Sequence, residues 1–297
     1  MKLIVHADDF GISRSVTEDI IECFDGPLNS TSIIVNGYDF DNAISQFKKL
    51  DNKRLSIHIN LIEGKPVAAV SQVPMLVGKD GLFHYSFFGL LKDYYLGSRK
   101  KKINLTKQLK LEVCAQLDKL KESMPTDTPI SIDSHQHFHM LPFLFKILVQ
   151  SSKDYNISYI RIPKEKIFFC FKKEMVKNYF GPNIIKHLLL NYLSRVCLPY
   201  LKGTKIEFPD YFVGVLLTGN MSNIAIRSAL SSINCEQGDI VELLLHPGGA
   251  SHEEAVIWEN YPQLNKYYLS NSRNLEKNIL LSNEFLITCK EFNNRFL

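Results

Sequence analysis

The chain has 297 residues, of which 45% are hydrophobic and 22% charged, with a formal net charge of +4. That length suits one α/β domain with a large core, and the charge is too small and too spread to argue for nucleic acid; the one dense basic run, Arg99-Lys-Lys-Lys102, reads as a solvated loop or helix start. The cysteines (Cys23, Cys114, Cys170, Cys197, Cys235 and Cys289) form no CxxC, the chain starts on a strand without a signal-peptide core, and no apolar run is long enough to span a bilayer, so a reducing cytoplasm is the expected compartment.

Apolar β-like runs alternate with segments of helical period. Lys2 to Val5 reads as a first strand, followed by a helix with Val16, Ile20, Ile21 and Phe24 on one face. Ser32 to Val35 is a second strand, Asp41 can cap a helix through Ala43, Ile44, Phe47 and Leu50, and Leu55 to Asn60 is a third strand. The stretch from Leu61 to about Leu90, with Gly64, Pro66, Pro74, Gly78 and Gly81, reads as a long loop of the kind that walls an active site. Leu105 to Met124 is an amphipathic helix, Ile130 to Asp133 a fourth strand, and Pro142 to Tyr155 the next helix.

Ser158 to Ile162, Phe212 to Leu217 and Asp239 to His246 complete the expected strands, with a helix near Asn223 to Ile233. Lys166 to Lys205 breaks the tidy alternation, being aromatic, aliphatic and basic at once. It reads as one or two outer helices, or as a surface touching lipid or a lipid-linked substrate. A helix over Arg273 to Leu281 and a short strand near Phe285 to Thr288 end the chain. No repeat or linker divides it, so a single domain over residues 1–297 is expected.

Three segments at the ends of strand-like runs carry chemistry: His6-Ala-Asp8-Asp9-Phe-Gly11, Ser56-Ile-His58, and Asp133-Ser-His135-Gln-His137-Phe-His139. The carboxyl ends of parallel strands converge on one rim. Two His and one Asp can hold a metal there with positions left open for water and substrate. Asp8 and Asp9 would point to opposite sides of a regular strand, but a turn at Gly11 lets one serve a metal and the other act as a base. His135, His137 and His139 share a side if the backbone stays extended; only one or two need touch metal, the others orienting ligands or binding substrate. Asp133 can accept a hydrogen bond from an imidazole, His246 in His-Pro-Gly-Gly can act as a general acid or stabilise an oxyanion, and Arg161, at a strand end, is a candidate sugar contact.

Together with Glu63-Gly-Lys-Pro66, Met140-Leu-Pro142 and His246-Pro-Gly248, these motifs make the chain resemble the YdjC-like carbohydrate deacetylase family, which includes chito-oligosaccharide deacetylase and relatives associated with hopanoid biosynthesis. The resemblance runs from residue 6 to 248 and implies a distorted TIM-like (β/α) barrel, often a homodimer, that binds one divalent cation; two imidazoles and one carboxylate suit Zn²⁺ and, with waters, could also hold Mg²⁺. It matches Asp9, His58 and His135 to the metal ligands, Asp8 to the catalytic base and His246 to the His-Pro-Gly histidine near the site. The implied reaction is hydrolysis of an N-acetyl group on a sugar, with acetate released. Two departures stand out: His6 replaces the Asn more usual before Ala-Asp-Asp, and Ser56 stands where Gly often precedes Ile-His. The rivals are a metal-dependent phosphoesterase, disfavoured by the lack of an Arg or Lys cluster near the motifs, and a non-catalytic carbohydrate-binding protein, disfavoured by the spare carboxylate and the His-Pro-Gly histidine.

Overall fold

The computed structural model describes residues 2–170 and 173–295. The first half runs β1 (Lys2–Phe10), α1 (Arg14–Cys23), β2 (Ser30–Ile33), α2 (Phe40–Phe47), β3 (Arg54–Ile59), α3 (Phe87–Leu96), α4 (Arg99–Ser123), β4 (Ile130–Ser134) and α5 (Pro142–Ser151). The second half runs β5 (Ile157–Ile160), α6 (Lys173–Val176), α7 (Pro182–Cys197), β6 (Tyr211–Val213), α8 (Asn223–Ser231), β7 (Ile240–Leu245), α9 (Pro262–Tyr268), α10 (Asn271–Leu280) and α11 (Asn283–Asn294). Phe171 and Lys172 of the aromatic and basic region lie outside the described residues.

All strand pairs are parallel, in the order β5-β4-β3-β2-β1-β7-β6. Parallel strands covered on both faces need continuous apolar runs, and Val5, Ala7, Ile33, Ile57, Ile132, Leu243 and Leu245 are all buried. The two edges of the sheet also approach each other. Glu207 sits beside β5, with the Ile160 amide 3.0 Å from its carbonyl and its own amide 2.8 Å from the Ser158 carbonyl. The same segment then runs into β6, whose Phe212 forms a parallel bridge with Glu165. The result is a single α/β domain with a seven-stranded curled sheet, which fits a distorted barrel.

Two sequence expectations change. The apolar run at Phe285–Thr288 lies within α11, not in a strand: Ser282 Oγ accepts the Phe285 amide, and Phe285, Thr288, Cys289 and Phe292 are buried at helical spacing while Ile287 is exposed. β6 ends at Val213, short of the expected Leu217, because Gly214 (φ 145) turns the chain and the amides of Gly214, Val215 and Leu216 all bond the Glu165 carboxylate. The basic run at Arg99 is the first turn of α4, capped by Ser98. The aromatic and basic region does supply an outer helix, α7, which buries Leu190, Leu193 and Cys197. No described helix is long and apolar enough to cross a membrane.

The long loop after β3 is pinned rather than loose. Asn60 Oδ1 accepts the amides of Ile62 and Glu63, and the fully buried Glu112 of α4 accepts those of Val67 and Ala68, both at 2.9 Å. Glu112→Ala should therefore orphan two amides and lower unfolding stability by at least about 2 kcal/mol, with a smaller loss for Glu112→Gln, which keeps one acceptor. Urea denaturation of both variants checks this, and equal stability of Glu112→Ala and wild type would refute it.

Candidate active site

β1, β3, β4 and β7 deliver their carboxyl ends to one cavity of about 670 Å³, whose wall includes Asp8, Asp9, His58, His135, His137 and His246. Adjacent aspartates can both face it because the strand breaks register between Ala7 and Phe10 and Asp9 takes a left-handed backbone, φ 72, uncommon for a residue with a side chain. Gly11, φ 82, then turns the chain away through a space where a Cβ would lie 3.3 Å from Ala43 and Ile33. The expected extended path after β4 is not what forms. Residues 135–140 make a tight helical turn with Gln136 at φ 50 and His137 at φ 57, so the three histidines diverge.

His135 points to the aspartates, Nδ1 3.1 Å from Asp9 Oδ1, and its Nε2 lies 3.1 Å from Glu63 Oε1. His137 reaches the cavity wall. His139 does not; it is fully buried, Nδ1 2.6 Å from Ser134 Oγ and Nε2 2.9 Å from the Arg161 carbonyl, so the expected sugar contact gives way to a role in holding the turn. Arg161 is likewise corrected. It lies fully buried behind the cavity, with Nη1 and Nη2 each 2.9 Å from an oxygen of Asp8, Nη2 2.9 Å from Asp133 Oδ2 and Nε 2.6 Å from Glu242 Oε1.

The two aspartates thus sit in different surroundings. Burial works against the Asp8 carboxylate, but Arg161, then His58 and His6, hold it well below the usual carboxylate range. Burial likewise opposes Asp9, where Arg273 (Nη1 2.7 Å from Oδ2) and His135 keep it low. His58 Nδ1 lies 2.6 Å from Asp133 Oδ1, as expected of a carboxylate that orients an imidazole, which turns Nε2 toward Asp9 Oδ1 at 3.6 Å. His135 is the converse of a buried neutral imidazole: burial lowers it, yet Asp9 and Glu63 push it up to about 10. His246 is pushed down to about 4, chiefly by burial; its Nε2 is 3.8 Å from Asp8 Oδ2 and its amide bonds Glu276 Oε2 at 2.6 Å.

The donor set fits a divalent cation. Asp9, His58 and His135 each offer a ligand atom, all within 4.8 Å of one another, and the inward-facing His58 Nε2 and Asp9 Oδ1 are both acceptors with no proton between them once Nδ1 donates to Asp133. Two other carboxylate and histidine groupings, built on Asp8 and Asp133, already surround the Arg161 guanidinium.

Sequence reasoning missed Arg273, Glu242 and Glu276, it quoted Glu63 only within a motif, and it covered Lys186, which lines the cavity, only as one of the basic residues of the Lys166 to Lys205 region. Glu242 had a signal, a lone carboxylate inside the buried run Ile240–Leu245. Arg273, on a short amphipathic helix, had none. Nor did linear order show that arginines gather here; the supposed lack of basic residues near the motifs does not hold in space, although Arg161 and Arg273 are both committed to carboxylates. Removing Arg161 would leave three buried carboxylates short of a partner, so Arg161→Met should cost at least about 3 kcal/mol of stability in urea denaturation. A loss under about 1 kcal/mol would show that the pairing is not holding these strands together.

Comparison with known proteins matches this architecture. The family model described as YdjC-like protein matches residues 2–291. Curated relatives include a carbohydrate deacetylase of Xenopus laevis, 30% identical over 86% of this chain and 83% of that protein, and one of Danio rerio, 27% identical over 86% and 84%. A chitooligosaccharide deacetylase of Escherichia fergusonii is 29% identical over 56% of this chain and 61% of its own length. A crystal structure from Enterococcus faecalis V583, 21% identical, superposes with a TM-score of 0.67 over 100% of this chain and 99% of that one, and so shares the fold. The chain belongs to the YdjC-like protein family.

Proposed function

We propose that this protein hydrolyses the N-acetyl group of an acetylated sugar or oligosaccharide in a reaction that depends on one divalent cation, Zn²⁺ or Mg²⁺, and releases acetate and a free amine. One observation carries the reading: adjacent carboxylates facing one cavity, Asp9 joined to two imidazoles as a ligand set and Asp8 held apart by a bidentate arginine. The names of the relatives support the deacetylase assignment. Aromatic rings in the cavity wall, among them Tyr85, Tyr261 and Tyr267, suit the apolar faces of a pyranose.

Asp9, His58 and His135 would hold the cation, which when bound lowers the pKa of water and polarises an acetyl oxygen. The protein's own groups do the rest. Asp8, kept ionised by Arg161, accepts the proton of the attacking water, and the bidentate fork fixes which lone pairs face the cavity. Asp133 holds the tautomer and tilt of His58, and Arg273, donating to Oδ2, fixes the orientation of the Asp9 carboxylate. His246, neutral above about pH 4 and 3.8 Å from Asp8, is placed to take the proton that Asp8 has gained and pass it to the leaving amine.

Substitution separates these roles. Asp9→Asn and His135→Ala should lose metal and activity together, since each removes a ligand. Asp8→Asn should keep metal and apparent substrate affinity but lower turnover by roughly a hundred- to ten-thousand-fold. Metal content and acetate release from N-acetylglucosamine oligomers check this. Metal loss in Asp8→Asn with retention in Asp9→Asn would reverse the roles, and full activity in both would overturn the mechanism.

Chelation gives an independent check. Dialysis against a strong chelator should abolish acetate release, and readdition of Zn²⁺ or Mg²⁺ should restore it, the more effective ion identifying the preferred metal. Undiminished activity after the protein is stripped to negligible metal content would refute metal dependence.

A further inference from the structure

We propose that the α3–α4 helix pair docks the protein on an anionic lipid bilayer, the apolar end of α3 entering the interface and the basic first turn of α4 meeting the headgroups. Seven of the ten residues of α3 are apolar or aromatic, yet only Leu90 is buried. Leu96, its last residue, is 79% exposed and Phe88 62%; Phe88, Leu91 and Tyr95 recur on one face at steps of three and four. The inner side is anchored instead by Tyr94, which stacks on Phe143 of α5 at 3.8 Å between ring centres. A contiguous apolar surface left in water marks a docking site. Ten residues are too few to cross a bilayer but enough to lie in its interface.

Charge decides the occupant. Leu96 is followed, after Gly97 and Ser98, by Arg99-Lys100-Lys101-Lys102, with the exposed Ile103 next. Of the chain's 35 Lys and Arg against 31 Asp and Glu, residues 86–110 hold seven against one, so the remainder of the chain is net negative and the positive charge is concentrated at this tip. Among the described residues only Lys101 of the four pairs with a carboxylate, Asp93 at 2.8 Å. That aspartate also accepts from the Tyr85 hydroxyl at 2.8 Å, which ties the helix pair to the wall of the active-site cavity. Four successive helical residues point in every direction around the axis, so one flat protein face could meet only some of them, whereas headgroups surrounding an inserted tip meet all four. A second copy of the chain seated here would set the same cations against themselves.

Co-flotation of the full chain with vesicles of phosphatidylcholine alone, and of an equimolar mixture of phosphatidylcholine and phosphatidylglycerol, tests this. The expected result is at least about tenfold tighter partitioning onto the anionic vesicles, weakening as salt rises. Leu96→Asp, and separately the pair Arg99→Glu and Lys100→Glu, should each lower that partitioning at least about tenfold, with an unchanged melting temperature because all three side chains are exposed. Leu96→Trp supplies a second readout: its emission should shift to the blue on anionic vesicles, against the constant background of the fully buried Trp258. No preference for anionic vesicles, partitioning unchanged in either charge-altered variant, or an unshifted Leu96→Trp emission overturns the docking. So does sedimentation that finds wild type a dimer and Leu96→Asp a monomer, since the tip would then be covered by a second copy. None of these measurements involves turnover, so the docking stands or falls independently of the deacetylase reading.

Discussion

The buried guanidinium of Arg161 is the contact on which the site and the curl of the sheet both depend. It binds Asp8 from β1, Asp133 from β4 and Glu242 from β7. In the sheet order β3, β2 and β1 lie between β4 and β7, so a flat sheet would keep Asp133 and Glu242 far apart. They meet around one cation only because the strands curve. A flexible ammonium could not replace it, since a planar fork with fixed donor directions satisfies several carboxylates at once. Tyr159 completes the arrangement by donating to Glu242 at 2.5 Å.

From that hub the environments of neighbouring groups separate. Asp8 is tied to Arg161 and touched by Ser32 and His6, with His6 Nε2 3.3 Å from both Asp8 Oδ1 and Asp133 Oδ2. Asp9, one peptide later, faces imidazoles and a second arginine. Two chemically identical side chains acquire different tasks from their neighbours alone. His6 adds a bridge between carboxylates on different strands, and its other nitrogen is fixed 2.8 Å from Ser30 Oγ.

Much of this was legible because buried parallel strands announce themselves as apolar runs, and residues at their carboxyl ends must share a rim. Asp8, Asp9, His58, His135 and His246 could be brought to one place on that basis, and all of them line one cavity. What could not be read is direction. Alternation places His135, His137 and His139 on one side of an extended chain, but two left-handed residues turn the segment into a helical coil that sends His139 into the interior. Strand-end position suggested an outward Arg161, whereas the buried carboxylates around it pull it inward. The Phe285–Thr288 run misleads because four apolar or β-branched residues fit either period, and only the burial of Cys289 and Phe292 decides for the helix.

The pairing of Asp9 with Arg273 joins residues 264 positions apart. During synthesis the first strand leaves the ribosome with its two acidic side chains long before α10 exists to neutralise one of them. Until then Asp8 and Asp133 can already pair with Arg161, but the Asp9 carboxylate lacks its arginine, which opposes its burial between β3 and β4. Completion of the site is therefore tied to completion of the chain, and a fragment ending before α10 has the ligand residues but not the counter-charge that lets them be buried. The sequence motifs lie early, while the group that makes burial of Asp9 tolerable arrives late, so a C-terminal lesion far from every motif would strike the centre of the molecule first.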